Sequence, residues 1–171
     1  MNNILITGGA GYIGSHIVEQ LVKTKAKIII LDNLTTGYKK LINKKAIFVK
    51  GDIKNFKKLS KTVCKYKIDS IIHLAAYLNI SEAERNKKKY FQNNVRGTLN
   101  LIKCCNSSNI KSIVFSSSCS IYGDTNGAVN ENKRANPKGY YARTKYEGEK
   151  IIIKYAKKFN YKYAILRYFN I

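Results

Sequence analysis

One stretch, Ile4–Ile17, constrains this chain more than any other. It reads Ile-Leu-Ile-Thr-Gly-Gly-Ala-Gly-Tyr-Ile-Gly-Ser-His-Ile. An apolar run (Ile4, Leu5, Ile6) leads into glycines at 8, 9, 11 and 14, after which Ile17, Val18 and Leu21 recur at helical spacing. The pattern predicts a buried strand, a tight turn and a helix whose N-terminus faces the strand end. Such a turn brings free backbone N–H groups and the positive end of a helix dipole to one spot, which suits a phosphate. Gly8 would permit the sharp turn, Gly11 the close approach of backbone to a pyrophosphate, and Gly14 the close packing of helix on strand. Taken alone, the same residues also fit a plain strand–turn–helix connection.

The rest of the chain alternates in the same way. Lys27–Leu31 reads as a second buried strand ending at Asp32-Asn33. Asp32 lies 18 residues past Gly14, about where a carboxylate would bond an adenosine ribose, and with the glycines upstream this reading outweighs that of a plain turn cap. A carboxylate there favours NAD over NADP, since it would repel a 2′-phosphate. Ala46–Val49 is a third strand leading to Gly51-Asp52, where Asp52 could reach an adenine amino group or cap a turn. Residues 54–66 form a polar helix carrying Phe56, Leu59 and Val63. Ser70–Ala76 is the fourth strand, and Ala75 and Ala76 at its end would let a ligand lie against backbone. His73, inside that apolar run, reads as a core histidine. Residues 81–108 read as one long helical segment whose apolar face is interrupted by Asn93 and Asn94, either buried amides or ligand contacts. Ser112–Phe115 is the fifth strand, with Ser116–Ser118 at its end. A loop over 123–138 holds the only proline, a helix runs from about Tyr140 to Phe159, and Tyr163–Leu166 is a sixth strand.

Six apolar strands joined by helices predict a doubly wound parallel α/β sheet covered on both faces. The expected strand order is 3-2-1-4-5-6, with a ligand along the carboxyl ends near the switch point. Gly8, Asp32, Asp52, Ala75, Ser118 and Phe169 all fall near those ends. The 171 residues suffice for one domain with a real core.

Charge raises a second possibility. The net charge is +22, from 32 Lys+Arg against 10 Asp+Glu. The cations are mostly lysines scattered along the whole chain, the longest run being Lys87–Lys89, so a solvated surface accounts for them better than a dedicated nucleic-acid face. The four cysteines (Cys64, Cys104, Cys105, Cys119) have neither zinc spacing nor a disulfide pattern, so buried reduced thiols are expected and no metal site. The N-terminus enters a strand directly, without a signal-like segment, and no stretch approaches a membrane span. The expectation is a cytoplasmic chain.

A second constellation lies in Tyr141-Ala-Arg-Thr-Lys145. At i and i+4 on a helix, the phenol and the ammonium share a face. A nearby cation would stabilise the phenolate, whose unperturbed pKa is about 10. A phenolate so tuned could take a proton from a substrate hydroxyl as hydride leaves its carbon. Ser118 could hold the same oxygen. Tyr-x-x-x-Lys is common by chance, and an ordinary surface pair is the competing reading.

Together, Gly8-x-x-Gly11-x-x-Gly14, Asp32, the serine-rich strand end and Tyr141-x-x-x-Lys145 resemble the extended short-chain dehydrogenase/reductase group, a Rossmann-fold family. Gly8–His16, Leu31–Leu34, Gly51–Ile53, Phe115–Ser118, Ile121–Asp124 and Leu166–Asn170 are more closely similar to the UDP-glucose 4-epimerases. The resemblance implies that Tyr141 is the catalytic acid/base, assisted by Lys145, with Ser118 on the reacting sugar oxygen. It implies pyrophosphate contacts from Tyr12 and Ile13. Asp32, Asn33, Leu34, Thr35, Thr36 and Gly37 would surround the ribose, and Asp52 and Ile53 the adenine. Leu74, Ala75, Ala76 and Asn93 would line the cofactor groove. Phe169 would sit by the nicotinamide end, and Asn170 would reach the nucleotide sugar. The implied activity is NAD-dependent epimerisation at C4 of a UDP-hexose through a 4-keto sugar.

Two departures stand out. Many such epimerases have a cofactor-contacting lysine where this chain has Leu78. The family also continues past the position of Ile171 into a UDP-sugar-binding domain, so residues 1–171 would be the NAD-binding part. A nucleotide-sugar dehydratase would need an Asp-Glu pair just after the strand-end hydroxyl, where this chain has Cys119 and Ser120. A non-catalytic NAD-binding module is the alternative of another class. The long helices would suit a helix-bundle homodimer.

Overall fold

The computed structural model describes residues 2–106, 108 and 110–169. Its strands are β1 (Asn3–Thr7), β2 (Lys27–Asp32), β3 (Ile47–Lys50), β4 (Ser70–His73), β5 (Ser112–Ser118) and β6 (Lys162–Tyr168). Its α-helices are α1 (Tyr12–Leu21), α2 (Phe56–Lys65), α3 (Ile80–Arg85), α4 (Lys87–Tyr90), α5 (Thr98–Asn106) and α6 (Tyr140–Phe159). All strand pairs are parallel, and the sheet runs β3-β2-β1-β4-β5-β6, the expected order.

Register explains why the strands read as continuous apolar runs. Leu5 pairs with Ile29 and Ile71, and Ile71 with Ile113; all four are buried on one side of the sheet. Leu59 and Val63 of α2, Leu101 and Ile102 of α5, and Ile152 of α6 pack in the same cluster. The next residues along, Ile6 and Ile30, point the other way and meet Val18 of α1. Burying both faces removes the polar half of the usual alternation. The edge strand β6 is less covered than expected on both faces: Tyr163, in register with Ile113, and Leu166, in register with Ser116, are 45% and 41% exposed.

Residues 81–108 do not form one helix. Asn86 closes α3 in a non-helical conformation, and its side chain accepts the Lys89 N–H to start α4. Asparagine does this readily because its short amide replaces a missing backbone acceptor. Phe91–Gly97 then winds as a π-helical turn before α5. Asn94 in that turn bonds outward: its Oδ1 accepts the Tyr77 N–H (2.9 Å), and its Nδ2 donates to the Tyr77 carbonyl (3.0 Å) and Thr144 Oγ1 (3.2 Å). These tertiary bonds offset the looser π geometry.

Strand β4 ends at His73 rather than Ala76. The Leu74 N–H makes a last bond to the Thr7 carbonyl (3.0 Å), after which β1 turns away at Gly8. The thiols also divide differently from expectation. Cys104 and Cys105 are buried, but Cys119 is partly exposed and Cys64 exposed, since α2 buries Leu59, Thr62 and Val63 and turns Cys64 outward. Among the described residues, no helix is long and apolar enough to cross a membrane, and no His/Cys/Asp/Glu group could hold a metal ion.

Candidate active site

The carboxyl ends of β1, β2, β4 and β5 open into one cleft of about 470 Å³. Its floor is the glycine turn. Gly8 has φ +76, and a Cβ there would lie 2.8 Å from the Ala75 nitrogen. A Cβ on Gly14 would lie 2.2 Å from the Gly8 carbonyl oxygen, so the first turn of α1 sits directly on the bend. The N–H groups of Tyr12, Ile13 and Gly14 have no acceptor among the described residues. Such first-turn donors belong to a helix end open to an anion. Gly8, Gly11, Tyr12, Ile13 and Gly14 all line the cleft.

At one end stand the carboxylates. Asp32 is buried, its Oδ2 accepting the Ala10 N–H (3.0 Å) and its Oδ1 the Leu34 N–H (2.8 Å). Asp32 therefore caps the local backbone, one of its two sequence readings, and also lines the cleft. Asp52 behaves likewise. Its Oδ1 accepts the Lys54 N–H (2.7 Å), and its Oδ2 accepts from Asn33 Nδ2 (3.0 Å). Asn33, Thr35, Thr36, Gly37 and Ile53 complete this end. Leu34 does not line the cleft; it takes a left-handed φ of 61 and contributes its N–H to Asp32 instead.

At the other end, Leu74, Ala75, Ala76, Asn93, Ser118, Tyr141 and Phe169 line the cleft. Asn170 lies outside the described residues. The Tyr141 phenol lies beside Ser118, whose Oγ accepts from the Ser120 N–H (3.2 Å) and hydroxyl (2.9 Å). Burial raises the Tyr141 pKa, opposed by the Ser118 hydroxyl. This corrects the expectation of a phenol tuned downward by Lys145. Lys145 is only 3% exposed, does not line the cleft, and directs its Nζ over the Phe115 ring at 4.9 Å. Burial lowers its own pKa to about 8, with Glu149 pulling it up. Its Nζ has no hydrogen-bond partner among the described residues. Helical spacing put the pair on one face, but packing decided where each polar end went.

Beneath the cleft runs a buried polar chain that the sequence did not announce. Thr7 Oγ1 meets His73 Nδ1 (2.7 Å), His73 Nε2 meets Thr98 Oγ1 (2.9 Å), and the Thr98 hydroxyl donates to the Asn94 carbonyl (2.6 Å). His73 is thus the core histidine expected. Asn94 links this chain to the cleft wall at Tyr77 and, through Thr144, to the carbonyl of Tyr141. Asn93 donates to Asn94 Oδ1 (3.0 Å) and lines the cleft, whereas Asn94 is a buried hydrogen-bonding amide outside the cleft lining. Asn94→Ala strands several buried polar groups and is expected to destabilise the fold by about 2–3 kcal/mol in denaturant melts.

Leu31, Gly51, Tyr77, Leu78, Ser116, Ser117 and Tyr168 also line the cleft, although the sequence reading assigned them no contact. Adjacency to Asp32, Asp52, Ala76 and Ser118 was the available signal for most of them. Leu78 is 63% exposed and reaches the cleft without a cationic head.

An anion-ready glycine turn at the switch point, paired carboxylates on one side and a Ser–Tyr pair on the other define a Rossmann-type α/β protein of the short-chain dehydrogenase/reductase kind. The family follows from the whole chain. The sequence model of the NAD dependent epimerase/dehydratase family matches residues 4–171, and the chain belongs to that family. It is 41% identical over 169 residues to the UDP-glucose 4-epimerase of Lactobacillus helveticus, covering 98% of this chain and 51% of that protein. It superposes with a TM-score of 0.95 on the crystal structure of UDP-glucose 4-epimerase from Brucella ovis in complex with NAD, at 37% identity, covering 99% of this chain and 52% of that one. With the enzyme from Thermotoga maritima, whose structure holds UDP-glucose, the TM-score is 0.93 at 30% identity, covering 97% and 55%. The chain therefore spans about half the length of the relatives it matches.

Proposed function

We propose that residues 1–171 are the NAD-binding part of a UDP-hexose 4-epimerase and carry its acid/base group. The observation behind this reading is one cleft that joins unpartnered helix-start N–H groups to the Ser118–Tyr141 pair. The residues suit a dinucleotide. The turn leaves no room for side chains at Gly8 and Gly14, and three N–H groups await an anion. Asp32 and Asp52 present carboxylates to a ribose and an adenine amino group. Ala75 and Ala76 let the ligand lie against backbone.

When bound, oxidised nicotinamide supplies the acceptor for the hydrogen at C4 of the sugar. Tyr141, as the phenolate, would take the C4 hydroxyl proton, and as the resulting phenol would return it when the 4-keto sugar is reduced on its other face. Ser118 holds the sugar oxygen beside that phenol. Lys145, buried with its Nζ over the Phe115 ring, would lend positive charge to the phenolate and would have to turn into the cleft to donate to the cofactor ribose. Burial raises the Tyr141 pKa, so a nearby ammonium and a bound oxidised nicotinamide would both favour the phenolate that burial opposes.

The chain is expected to bind NADH with enhanced fluorescence. Tyr141→Phe retains that binding to within about fivefold, the worth of one ordinary hydrogen bond. Mixed with UDP-galactose, the NAD-loaded parent develops NADH absorbance, and the phenylalanine variant does so about a hundredfold more slowly or not at all. Equal rates overturn the role of Tyr141. A parent chain that binds no NADH overturns the reading as a whole.

A further inference from the structure

Glu149 is a carboxylate with 1% exposure on α6, four residues after Lys145 and eight after Tyr141. At that spacing all three share one side of the helix. Both of its oxygens are engaged. Oε1 accepts from the Ser117 hydroxyl and from Arg167 Nε (3.1 Å), and Oε2 accepts from Arg167 Nη2 (2.9 Å). Arg167 in turn donates through Nη1 to the Tyr122 hydroxyl (2.9 Å) and the Glu131 carbonyl (3.2 Å), with its guanidinium over the Tyr122 ring. Ser117 and Arg167 are register partners on β5 and β6, and the next pair along is Ser118 and Tyr168, both in the cleft. Tyr122 ends the short 3₁₀ turn that follows Ser118. One buried side chain thus ties together two strand ends, the turn after Ser118 and the helix that carries Tyr141 and Lys145. Buried ion pairs add little net stability over well-packed apolar residues, so a built pair of this kind invites a role beyond holding the fold.

We infer that Glu149, gripped by Arg167 and Ser117, is a positioning residue for the Tyr141–Lys145 pair. It locks the face of α6 that bears both groups against the ends of β5 and β6, and it is the carboxylate that sets the charge around the Lys145 ammonium. The titratable groups facing that ammonium are Glu149 from its own helix and His73 from β4, and His73 is held neutral by burial. Glu149 is therefore the opposing charge that keeps a desolvated ammonium protonated. The inference rests on the reading of Tyr141 and Lys145 proposed above.

The side-chain nitrogen chemical shift of Lys145, followed across pH in the whole chain, reads this charge without any cofactor. In the parent the midpoint is expected near 8. In Glu149→Gln it falls by about one pH unit or more, a tenfold loss of proton affinity. That variant leaves Arg167 without its counter-charge and can unfold the chain. The double variant Glu149→Gln/Arg167→Gln therefore keeps a hydrogen-bonded bridge with no charge. In the folded double variant the loss of the Arg167 cation offsets part of the loss of its Glu149 partner, so a smaller fall of the Lys145 midpoint supports the inference. An unmoved midpoint in either folded variant overturns it, since a purely structural strut would leave it in place. NADH binding separates this result from the broader reading. If the midpoint falls as expected but the parent binds no NADH, the dinucleotide reading fails and the positioning of Lys145 stands. If NADH binds but the midpoint does not move, the reverse holds.

Discussion

Acidification from pH 6.5 to about 3 is expected to cost the fold about 5 kcal/mol through His73 alone, at about 1.4 kcal/mol per unit of pKa shift. The geometry fixes the ring's state. The single hydroxyl proton of Thr98 goes to the Asn94 carbonyl, so His73 Nε2 must donate to Thr98 and Nδ1 must accept from Thr7. A second proton, on Nδ1, would make Thr7 Oγ1 the acceptor and force the Thr7 hydroxyl proton to turn away from the ring. Burial is the larger cause of the lowered pKa, and the Lys145 ammonium adds repulsion. The sign follows directly. Below 6.5 the unfolded chain binds a proton that the folded chain refuses, so stability falls with pH until about 3, where the folded chain binds it too. Against a total of roughly 5–15 kcal/mol for a domain, this is a third or more of the whole. Urea melts at several pH values, for the parent and for His73→Gln, test it. The glutamine variant loses some fit at pH 7 but sheds about one proton's worth of pH slope, about 1.4 kcal/mol per pH unit. Parallel pH profiles for the two proteins would remove His73 from the account.

This dependence was half legible in the sequence, and the half that was missing is instructive. His73 in an apolar run read as a core histidine because period and composition report burial. Its partners come from β1 and α5, and no local pattern brings them together. The strands were legible for the same reason: Leu5-Ile6 and Ile28–Leu31 are buried on both faces, and that leaves continuous apolar runs. The strand order followed from the alternation of strands and helices and the position of the glycine turn. The break at Asn86 and the π turn around Asn94 were not legible, since both depend on amides finding partners across space. The same limit applied at the site. Tyr141 and Lys145 were found by their spacing, but the raised phenol pKa and the turn of Lys145 toward Phe115 are products of packing. Glu149 passed as one more helical charge until Arg167 and Ser117 closed around it.

Gly14→Ala is expected to destabilise the chain by about 3 kcal/mol and to weaken NADH binding by a hundredfold or more, the cost of overpacking against backbone. Helix propensity alone argues the opposite, since alanine is favoured over glycine by about 1 kcal/mol inside a helix. The contacts decide the sign. The new Cβ would stand 2.2 Å from the Gly8 oxygen, 2.7 Å from the Gly9 Cα and 3.0 Å from the Gly8 carbonyl carbon. All three atoms are main chain, in a turn already held by the Gly8 N–H bonded to the Leu31 carbonyl and by the Gly11 N–H bonded to the Gly8 carbonyl. Relief requires α1 to lift from the bend, which withdraws the N–H groups of Tyr12 and Ile13 from the cleft. Gly97→Ala is the control. Its Cβ would come within 2.5 Å of Ile53 Cδ1, the far end of a flexible side chain that can rotate away, so a loss of about 1 kcal/mol is expected. Denaturant melts and NADH titrations of the two variants separate the explanations. A Gly14→Ala chain as stable as the parent that still binds NADH would show that the turn tolerates a side chain. A chain of full stability without binding would place the requirement for glycine in the approach of the phosphate rather than in the packing of helix on strand.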